Sequence, residues 1–195
     1  NVIIGDTGSG KSYLIDKVAE LLRYNNASYS YIKQEPYLYN DTIAENIFLG
    51  EKPEGEKLDL AKKCIAEFGL DLLAPTINEV LALEVGENGK KVSGGQAKRI
   101  ALIRSLVADV DYIIWDDPFS SVDLILEQQI INVLKKDQRL KKKTFILTSH
   151  RFSTVRASDW IVFIEQNEGI KEVGPRSDLL EKESLTSEYF KKQMV

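Results

Sequence analysis

An eight-residue motif near the start of the chain restricts its possible folds more than any other feature. The motif reads Gly5-Asp6-Thr7-Gly8-Ser9-Gly10-Lys11-Ser12. Its glycines let backbone N–H groups turn toward a phosphate, its lysine reaches the terminal phosphates of a nucleotide, and its serine hydroxyl can ligate Mg²⁺. A short apolar segment precedes it, and apolar residues at helical spacing follow it. The sequence therefore predicts a phosphate-binding loop (P-loop) between a strand and a helix, in a chain that binds and hydrolyses a nucleoside triphosphate with magnesium.

Apolar patterns along the rest of the chain predict alternating strands and helices. The strand patterns lie at residues 28–33, Tyr112–Trp115, Thr144–Thr148 and 160–164, and a helical pattern lies at Leu124–Lys136. Residues 58–108 show helical patterns without a convincing strand, and residues 176–194 form a tail that we expect to be helical and exposed. This alternation is typical of a mainly parallel sheet flanked by helices. We predict an α/β fold of the P-loop NTPase type with an inserted helical subdomain.

Composition and charge narrow the functional classes. With 195 residues, 43% of them apolar, the chain is long enough for one domain with a full core. A net charge of −4 gives no broad attraction to nucleic acid or to an anionic membrane surface, and we expect no nucleic-acid partner. The single cysteine, Cys64, excludes an intramolecular disulfide and a clustered thiolate metal site. No apolar run approaches the roughly 20 residues needed to cross a bilayer.

An aspartate after a buried strand supplies the second metal anchor that a P-loop needs. The apolar residues Tyr112–Trp115 predict the strand, and Asp116 follows at its carboxyl end. Open α/β sheets bind their ligands at that edge. A turn residue before Pro118 is the alternative interpretation of Asp116. Its occurrence beside a P-loop favours the metal site.

A third motif lies between the P-loop and Asp116. It reads Ser93-Gly94-Gly95-Gln96. Ser93 is predicted to cap a helix whose N-terminus the two glycines leave uncovered, which makes a second anion-binding helix end. On its own, this motif is also compatible with an ordinary helix cap. Together with the P-loop and Asp116, in this order and at this spacing, it resembles the signature motif of ATP-binding cassette (ABC) proteins.

The resemblance extends over nearly the whole chain. Gln34 is similar to the glutamine of the family's Q-loop, which senses magnesium and couples to the transmembrane partner, and His150 is similar to the family's switch histidine. The segment Ser120-Ser121-Val122-Asp123 resembles the D-loop. The residues around Gln34 and the segment 85–89 resemble the exporter branch of the family in particular.

The resemblance implies a site shared between two chains. In the family, two cassettes pair head to tail, and each ATP lies between the P-loop of one cassette and the signature motif of the other. The residues that would serve one nucleotide are Lys11, Ser12, Gln34, Asp116 and His150, with Ser12, Gln34 and Asp116 toward magnesium. Residues 93–96 would close over the nucleotide of the partner. The resemblance also implies transmembrane domains as partners, which would hold this cassette at the cytoplasmic face of a membrane.

One position departs from the family pattern. The residue after the metal-binding aspartate is normally a glutamate that polarises the attacking water, and here it is Asp117. Aspartate is one methylene shorter, and a shift of about an ångström in a catalytic group can cost on the order of a hundredfold in rate. We predict slow hydrolysis with Asp117, His150 and Gln34 as catalytic residues, and an unlike partner cassette that carries the faster site.

Two other interpretations stay open. The first is a regulatory module that holds ATP between two cassettes and hardly hydrolyses it, which Asp117 favours. The second is a chromosome-maintenance or DNA-repair ATPase. Such proteins place long coiled coils between the P-loop and the signature motif, and residues 11–93 show no sustained heptads.

The resemblance also implies a division of the chain. We expect one domain, with a RecA-like core at residues 1–34 and 111–195 and a helical subdomain with the signature motif at about 35–110. The chain opens inside an apolar strand at Asn1, so we expect a domain truncated at its N-terminus. The aromatic residue that stacks on adenine in the family would then be absent, and we expect weak ATP binding and exposed edge strands.

Overall fold

Six strands form one sheet, and five of them run parallel to one another. The computed structural model of the protein describes residues 1–193. The strands are β1 (Val2–Ile4), β2 (Tyr29–Ile32), β3 (Tyr112–Trp115), β4 (Thr144–Thr148), β5 (Trp160–Glu165) and β6 (Gly169–Pro175). Their order across the sheet is β2-β3-β4-β1-β5-β6, and β6 runs antiparallel to β5. The predicted α/β fold with a mainly parallel sheet is confirmed.

Helices cover the sheet and fill the long connection between β2 and β3. The helices of the described chain are α1 (Lys11–Tyr24), α2 (Ile43–Phe48), α3 (Gly55–Glu67), α4 (Ile77–Ala82), α5 (Gly94–Val107), α6 (Leu124–Lys136), α7 (Phe152–Ala157), α8 (Arg176–Glu181) and α9 (Leu185–Gln193). Between β2 and β3 the chain forms α2 to α5, and this stretch has no strand of the sheet, as predicted for residues 58–108. In the described chain, we find no helix with the length and apolar character required to traverse a bilayer.

Side chains of each strand alternate between two faces of the sheet. On one face, Ile3 and Ile114 pack with Ile15 and Ala19 of α1 in a small cluster. On the other face, the neighbours of these strand residues join the main core with α3, α5 and α6. Helices on both faces explain why the parallel strands are apolar along most of their length.

Trp115 fixes the carboxyl end of β3 against α5. Its side chain is fully buried, and its indole Nε1 donates a hydrogen bond to the hydroxyl of Ser105 at 2.8 Å. The rings of Phe119 and Phe145 meet it edge to face, with centroids 6.4 and 5.7 Å away. Such packing restrains the strand end from which Asp116 emerges.

An ion-pair cluster joins α3 to the end of α6. The carboxylate of Asp137 accepts hydrogen bonds from Arg139 at 2.7 Å and from Lys63 of α3 at 3.0 Å. The hydrogen bonds from Arg139, together with those from Lys63, hold the pKa of Asp137 well below its usual value. Cys64 lies buried beside this cluster, and burial raises the pKa of its thiol to about 12.

Two features of the C-terminal part differ from the sequence prediction. Strand β6 was not predicted, because its glycines, lysine and glutamate give no apolar run. The tail is helical in α8 and α9, as predicted, but it is not exposed throughout, because α9 carries buried side chains. The ring of Phe190 is buried, 5.1 Å from that of Phe152, and Thr186 is also buried. The last residue of the predicted tail, Met194, lies outside the described residues.

Candidate functional site

A cavity of about 370 Å³ lies at the carboxyl ends of β1, β3 and β4. Its walls are formed by Thr7, Gly8, Gly10, Lys11, Ser12, Tyr13, Gln34, Asp116, Asp117, Thr148 and His150. Four separate parts of the sequence therefore meet here: the P-loop, Gln34, the pair Asp116 and Asp117, and His150. A larger cavity of about 500 Å³ lies near the start of β4, and its walls contain none of the predicted site residues.

Glycines shape the P-loop at its two ends. A Cβ atom at Gly5 would lie 2.3 Å from the carbonyl oxygen of Ile164 in β5, so no larger residue fits there without a shift. Gly10 has a φ of 97° and precedes the first turn of α1, which no side chain caps. The N–H groups of this turn are therefore open to an anion, and the helix dipole adds partial positive charge.

Lys11 lies across the loop. Its ammonium donates hydrogen bonds to the carbonyl oxygens of Gly5 at 2.7 Å and Asp6 at 2.8 Å. Burial lowers the pKa of Lys11, while the charges of Asp117, Asp6 and Asp116 oppose that shift. The hydroxyl oxygen of Ser9 is buried without a hydrogen-bond partner among the described residues. The loop thus combines a positioned cation with unused hydrogen-bonding capacity.

A chain of hydrogen bonds orients the two adjacent aspartates. Asp116 is only 7% exposed, and its Oδ1 accepts a hydrogen bond from the hydroxyl of Thr148 at 2.7 Å. The same hydroxyl oxygen accepts a hydrogen bond from the backbone N–H of Asp117 at 2.7 Å. Asp117 has a φ of 46°, in the left-handed region that aspartate enters more readily than most residues. This sharp turn directs the two neighbouring carboxylates into one cavity.

His150 and Gln34 border the cavity from two other strands. His150 follows β4 by two residues, and its side chain is 55% exposed. Its Nδ1 lies 3.9 Å from Oδ1 of Asp117, which is beyond hydrogen-bonding distance. Gln34 follows β2 by two residues and is also exposed. Both side chains therefore have room to approach a ligand.

The predicted signature residues lie elsewhere. Ser93 caps α5: its hydroxyl accepts a hydrogen bond from the N–H of Gln96 at 3.2 Å, and the Gln96 side chain accepts one from the N–H of Ser93 at 2.7 Å. A Cβ atom at Gly95 would lie 3.2 Å from the carbonyl oxygen of Ser121. Within residues 1–193, the walls of the P-loop cavity do not include residues 93–96. The fold thus separates the two predicted anion-binding helix ends.

Sequence reasoning missed two residues of this region. Thr148 was assigned to a strand, although its hydroxyl joins Asp116 to the backbone of Asp117. Lys98 of α5 was not singled out, and its buried ammonium donates to the carbonyl oxygen of Asp117 at 3.1 Å. For Thr148, a hydroxyl at the carboxyl end of a buried strand is a usable signal. For Lys98 the sequence gives none, because a lysine on a helix is usually solvated.

The residues at the cavity suit magnesium bound together with a nucleotide. Ser12, Gln34 and Asp116 offer a hydroxyl, an amide oxygen and a carboxylate, which are the hard oxygen ligands that magnesium takes. No group of three or more histidine, cysteine, aspartate or glutamate side chains in the described part of the chain could hold a metal ion. A divalent cation here would therefore draw its remaining ligands from phosphates and water.

Comparison with known proteins agrees with this arrangement. A family model described as ABC transporter matches residues 1–120, more than half of the chain. The chain belongs to the ABC transporter family. The resemblance carried by the P-loop, Asp116 and the signature motif is thereby confirmed. The glutamate-to-aspartate departure at Asp117 lies within the matched part.

Several relatives of this ABC chain are named as exporters or flippases. An ATP-dependent lipid A-core flippase of Wigglesworthia glossinidia brevipalpis is 28% identical and covers 98% of this chain. A probable multidrug resistance-associated protein, lethal(2)03659 of Drosophila melanogaster, is 33% identical over 94% of it. A solved bacterial Atm1-family ABC exporter with ATP bound superposes with a TM-score of 0.78 at 26% identity, over 100% of this chain and 36% of that one. The chain spans 36% of the flippase and 14% of the Drosophila protein.

Proposed function

We propose that this ABC chain binds ATP with magnesium and hydrolyses it slowly to power an exporter. The observation that carries the proposal is the meeting of Lys11, Ser12, Gln34, Asp116 and His150 around one cavity, although they come from distant parts of the sequence. A P-loop alone would support nucleotide binding. The added carboxylates and histidine support phosphoryl transfer to water, because they line the same cavity as the P-loop.

Each residue has a defined part in the proposed reaction. Lys11 exchanges its hydrogen bonds to Gly5 and Asp6 for the β- and γ-phosphates, and the open N–H groups of α1 bind the same anion. Ser12, Gln34 and Asp116 would hold magnesium, which would neutralise phosphate charge. Asp117 orients the attacking water, and His150 donates a hydrogen bond to the γ-phosphate.

The proposed site is completed by a second cassette. Residues 93–96 lie away from the P-loop cavity of their own chain, so they are available for the nucleotide of another chain. We propose a head-to-tail pair of like or unlike cassettes, closed by ATP, in which each nucleotide contacts one P-loop and one signature motif. Names such as flippase and exporter among the relatives support transmembrane domains as further partners, with this cassette on the cytoplasmic side.

We also propose that the chain divides into two parts. Residues 1–34 and 111–195 form the RecA-like core, and residues of about 35–110 form the helical subdomain. The run of α2 to α5 between neighbouring strands β2 and β3 supports this division. The cavity belongs to the first part and the signature helix α5 to the second, so movement between the two parts would alter how the half-sites align.

A regulatory module is the second candidate function, and Asp117 is the observation that favours it. The side chain of Asp117 is shorter than glutamate, and His150 stands 3.9 Å away from it. A carboxylate that fails to reach the attacking water leaves ATP bound but intact. In that case the nucleotide would hold two cassettes together while the other site supplied turnover.

Turnover of the full-length assembly separates the two candidates. ATP hydrolysis by wild type is compared with Asp117→Asn, which keeps the size and removes the charge, and Asp117→Glu, which restores the longer carboxylate. We expect Asn to lower turnover at this site about tenfold or more and Glu to raise it, because the carboxylate orients water. Nucleotide binding, measured by photo-crosslinking of an ATP analogue, should persist in both variants.

The matched control is Asp59→Asn, which removes a carboxylate from the exposed face of α3. Its turnover should equal that of wild type. If neither substitution at Asp117 alters turnover while ATP still binds, hydrolysis at this site is contradicted and the regulatory module stands.

A further inference from the structure

Lys98 is a buried cation that the proposed reaction does not use. It lies on α5, one turn after the signature residue Gly94, and its side chain is only 3% exposed. Its ammonium donates hydrogen bonds to the carbonyl oxygen of Asp117 at 3.1 Å and to the hydroxyl of Ser120 at 3.2 Å. Burial lowers the pKa of Lys98, and nearby Asp117 and Asp116 oppose that shift.

The partners of Lys98 are unusual for a buried lysine. Buried ammonium groups are generally paired with carboxylates, because removal from water costs several kcal/mol. Within residues 1–193, Lys98 forms no ion pair and instead bonds a carbonyl oxygen and a hydroxyl oxygen of one short loop. The buried ammonium of Lys98 therefore stabilises the loop that it contacts. That loop begins with Asp117, the proposed water-orienting residue.

The loop has separate supports at its two ends. At its far end, Arg151 donates to the carbonyl oxygen of Val122 at 2.9 Å and pairs with the buried Glu127 at 2.7 Å. At its near end, the N–H of Asp117 donates to Thr148, and its carbonyl oxygen accepts hydrogen bonds from Lys98 and from the hydroxyl of Ser120 within the loop. Loss of Lys98 would therefore leave the loop attached but remove the hydrogen bond that joins the Asp117 carbonyl oxygen to α5.

The position of Lys98 also ties this peptide group to the signature helix. One turn earlier on α5, Gly95 packs closely against the carbonyl oxygen of Ser121. Helix α5 thus contacts the loop at both Asp117 and Ser121. Asp117 has a left-handed backbone, a conformation that surrounding contacts must hold, and its side chain lines the cavity, so these contacts help to fix the position of its carboxylate.

We propose that Lys98 is a positioning residue that holds the Asp117 carboxylate at the attacking water from the signature helix. This inference deepens the proposed function and rests on it. Lys98 touches no nucleotide in this scheme and acts only through the Asp117 backbone. Its removal should therefore lower the rate of the chemical step and spare ATP binding.

The test is a double-mutant cycle on ATP turnover at this site of the full-length assembly. Lys98→Met keeps a similar length without the charge, and we expect the kcat of this site to fall about tenfold with KM for ATP changed less than about twofold. In the background of Asp117→Asn, the same change should cause no further fall. Lys98→Gln, which keeps a neutral N–H donor group, should give an intermediate kcat and covers the case in which the methionine variant does not fold.

The matched control is Lys143→Met. Lys143 also donates to a backbone carbonyl oxygen, that of Ala108, but it lies before the amino end of β4, opposite the cavity. The kcat of this variant should equal that of wild type. Thermal unfolding of all variants measures any loss of stability.

Distinct outcomes overturn the inference and the proposed function. If Asp117→Asn lowers turnover but Lys98→Met and Lys98→Gln leave it unchanged, the inference fails and hydrolysis at this site stands. If Lys98→Met lowers turnover equally with and without the Asp117 carboxylate, Lys98 does not act through Asp117 and the inference also fails. If Asp117→Asn has no effect, both fail together.

Discussion

Helices α1 and α5 both begin at glycine-rich segments, yet their N-termini are built differently. The first turn of α1 follows Gly10, and no side chain caps it. The first turn of α5 follows Ser93, and reciprocal hydrogen bonds with Gln96 cap it. Unpaired N–H groups at a helix N-terminus attract anions, so α1 offers more open donors than α5. The first turn of α1 therefore leaves its N–H groups open to a ligand, whereas at α5 the N–H groups of Ser93 and Gln96 are already bonded within the chain.

The two helices also differ in how firmly they are held. Two side chains of α1, Ile15 and Ala19, are buried, and both belong to the small cluster on one face of the sheet. Helix α5 has eight buried residues, most of them in the main core, and it packs against α2 and α3. A well-anchored helix suits a surface that must be presented to another chain, because it loses little conformational freedom on contact.

The largest effect that tests this comparison should come from Lys11→Ala. Lys11 is the cation at the open helix end, so its loss should weaken ATP binding by about a hundredfold because the terminal phosphates lose a charge-assisted partner. Titration with a fluorescent ATP analogue measures the change. Lys17→Ala is the control on the same helix, since the Lys17 side chain is about half exposed, forms an ion pair with Glu20 and lies over the ring of Tyr13. Equal weakening by the two variants would contradict a special role for Lys11.

A smaller effect concerns the anchoring of α3, on which α5 packs. Asp137→Asn should lower the free energy of unfolding at pH 7 by about 2 kcal/mol, because Arg139 and Lys63 lose a buried charged acceptor. The folded-state pKa of Asp137 lies below the ordinary 3.8, so the carboxylate stabilises the fold above that pH. Its contribution disappears as the pH falls from about 3.8 through the lower folded-state value.

Urea unfolding between pH 7 and pH 3 checks this pH dependence. The stability difference between wild type and Asp137→Asn should stay constant from pH 7 down to about pH 4 and begin to shrink as the pH falls below about 3.8. If the difference in unfolding free energy stays constant across this whole range, the charge of Asp137 does not stabilise the contact between α3 and the end of α6.

The smallest effect should come from Ser93→Ala at the capped helix end. Loss of the cap should cost about 1 kcal/mol of stability and leave the ATP affinity of this chain unchanged. Thr76→Ala is a matched control, because Thr76 and Glu79 form the same reciprocal cap on α4. Both should lower stability alike in urea unfolding, but only Ser93→Ala should slow turnover of the full-length assembly. Equal turnover in the two variants would remove the functional distinction between the helix ends.

The sequence predicts the elements that carry strong local signals. Apolar strands β2 to β5 were predicted close to their observed positions, as was the helical run between β2 and β3. Strand β6 was missed because an edge strand paired on one side tolerates polar residues and glycine. The tail was predicted to be exposed because charged residues dominate its sequence. Single apolar residues such as Phe190 give no periodic pattern, although in the folded chain Phe190 is buried.

The candidate site likewise contains residues that the sequence predicts and residues that it does not. The P-loop and Asp116 follow from local motifs and from the rule that ligands bind at the carboxyl ends of parallel strands. The hydrogen bond from Thr148 and the contact made by Lys98 join residues 32 and 19 positions apart, and no local pattern encodes them. Tertiary structure is therefore needed to find the residues that orient a reactive group.

The left-handed backbone at Asp117 limits which substitutions this position accepts. Glycine, asparagine and aspartate enter that region at low cost, whereas β-branched residues are strongly disfavoured there. Substitutions at this position would therefore occur most easily among glycine, asparagine and aspartate, which differ in charge but share a tolerance of the left-handed backbone. A cassette that hydrolyses ATP and one that only binds it would then differ by a single substitution that leaves the fold almost unchanged.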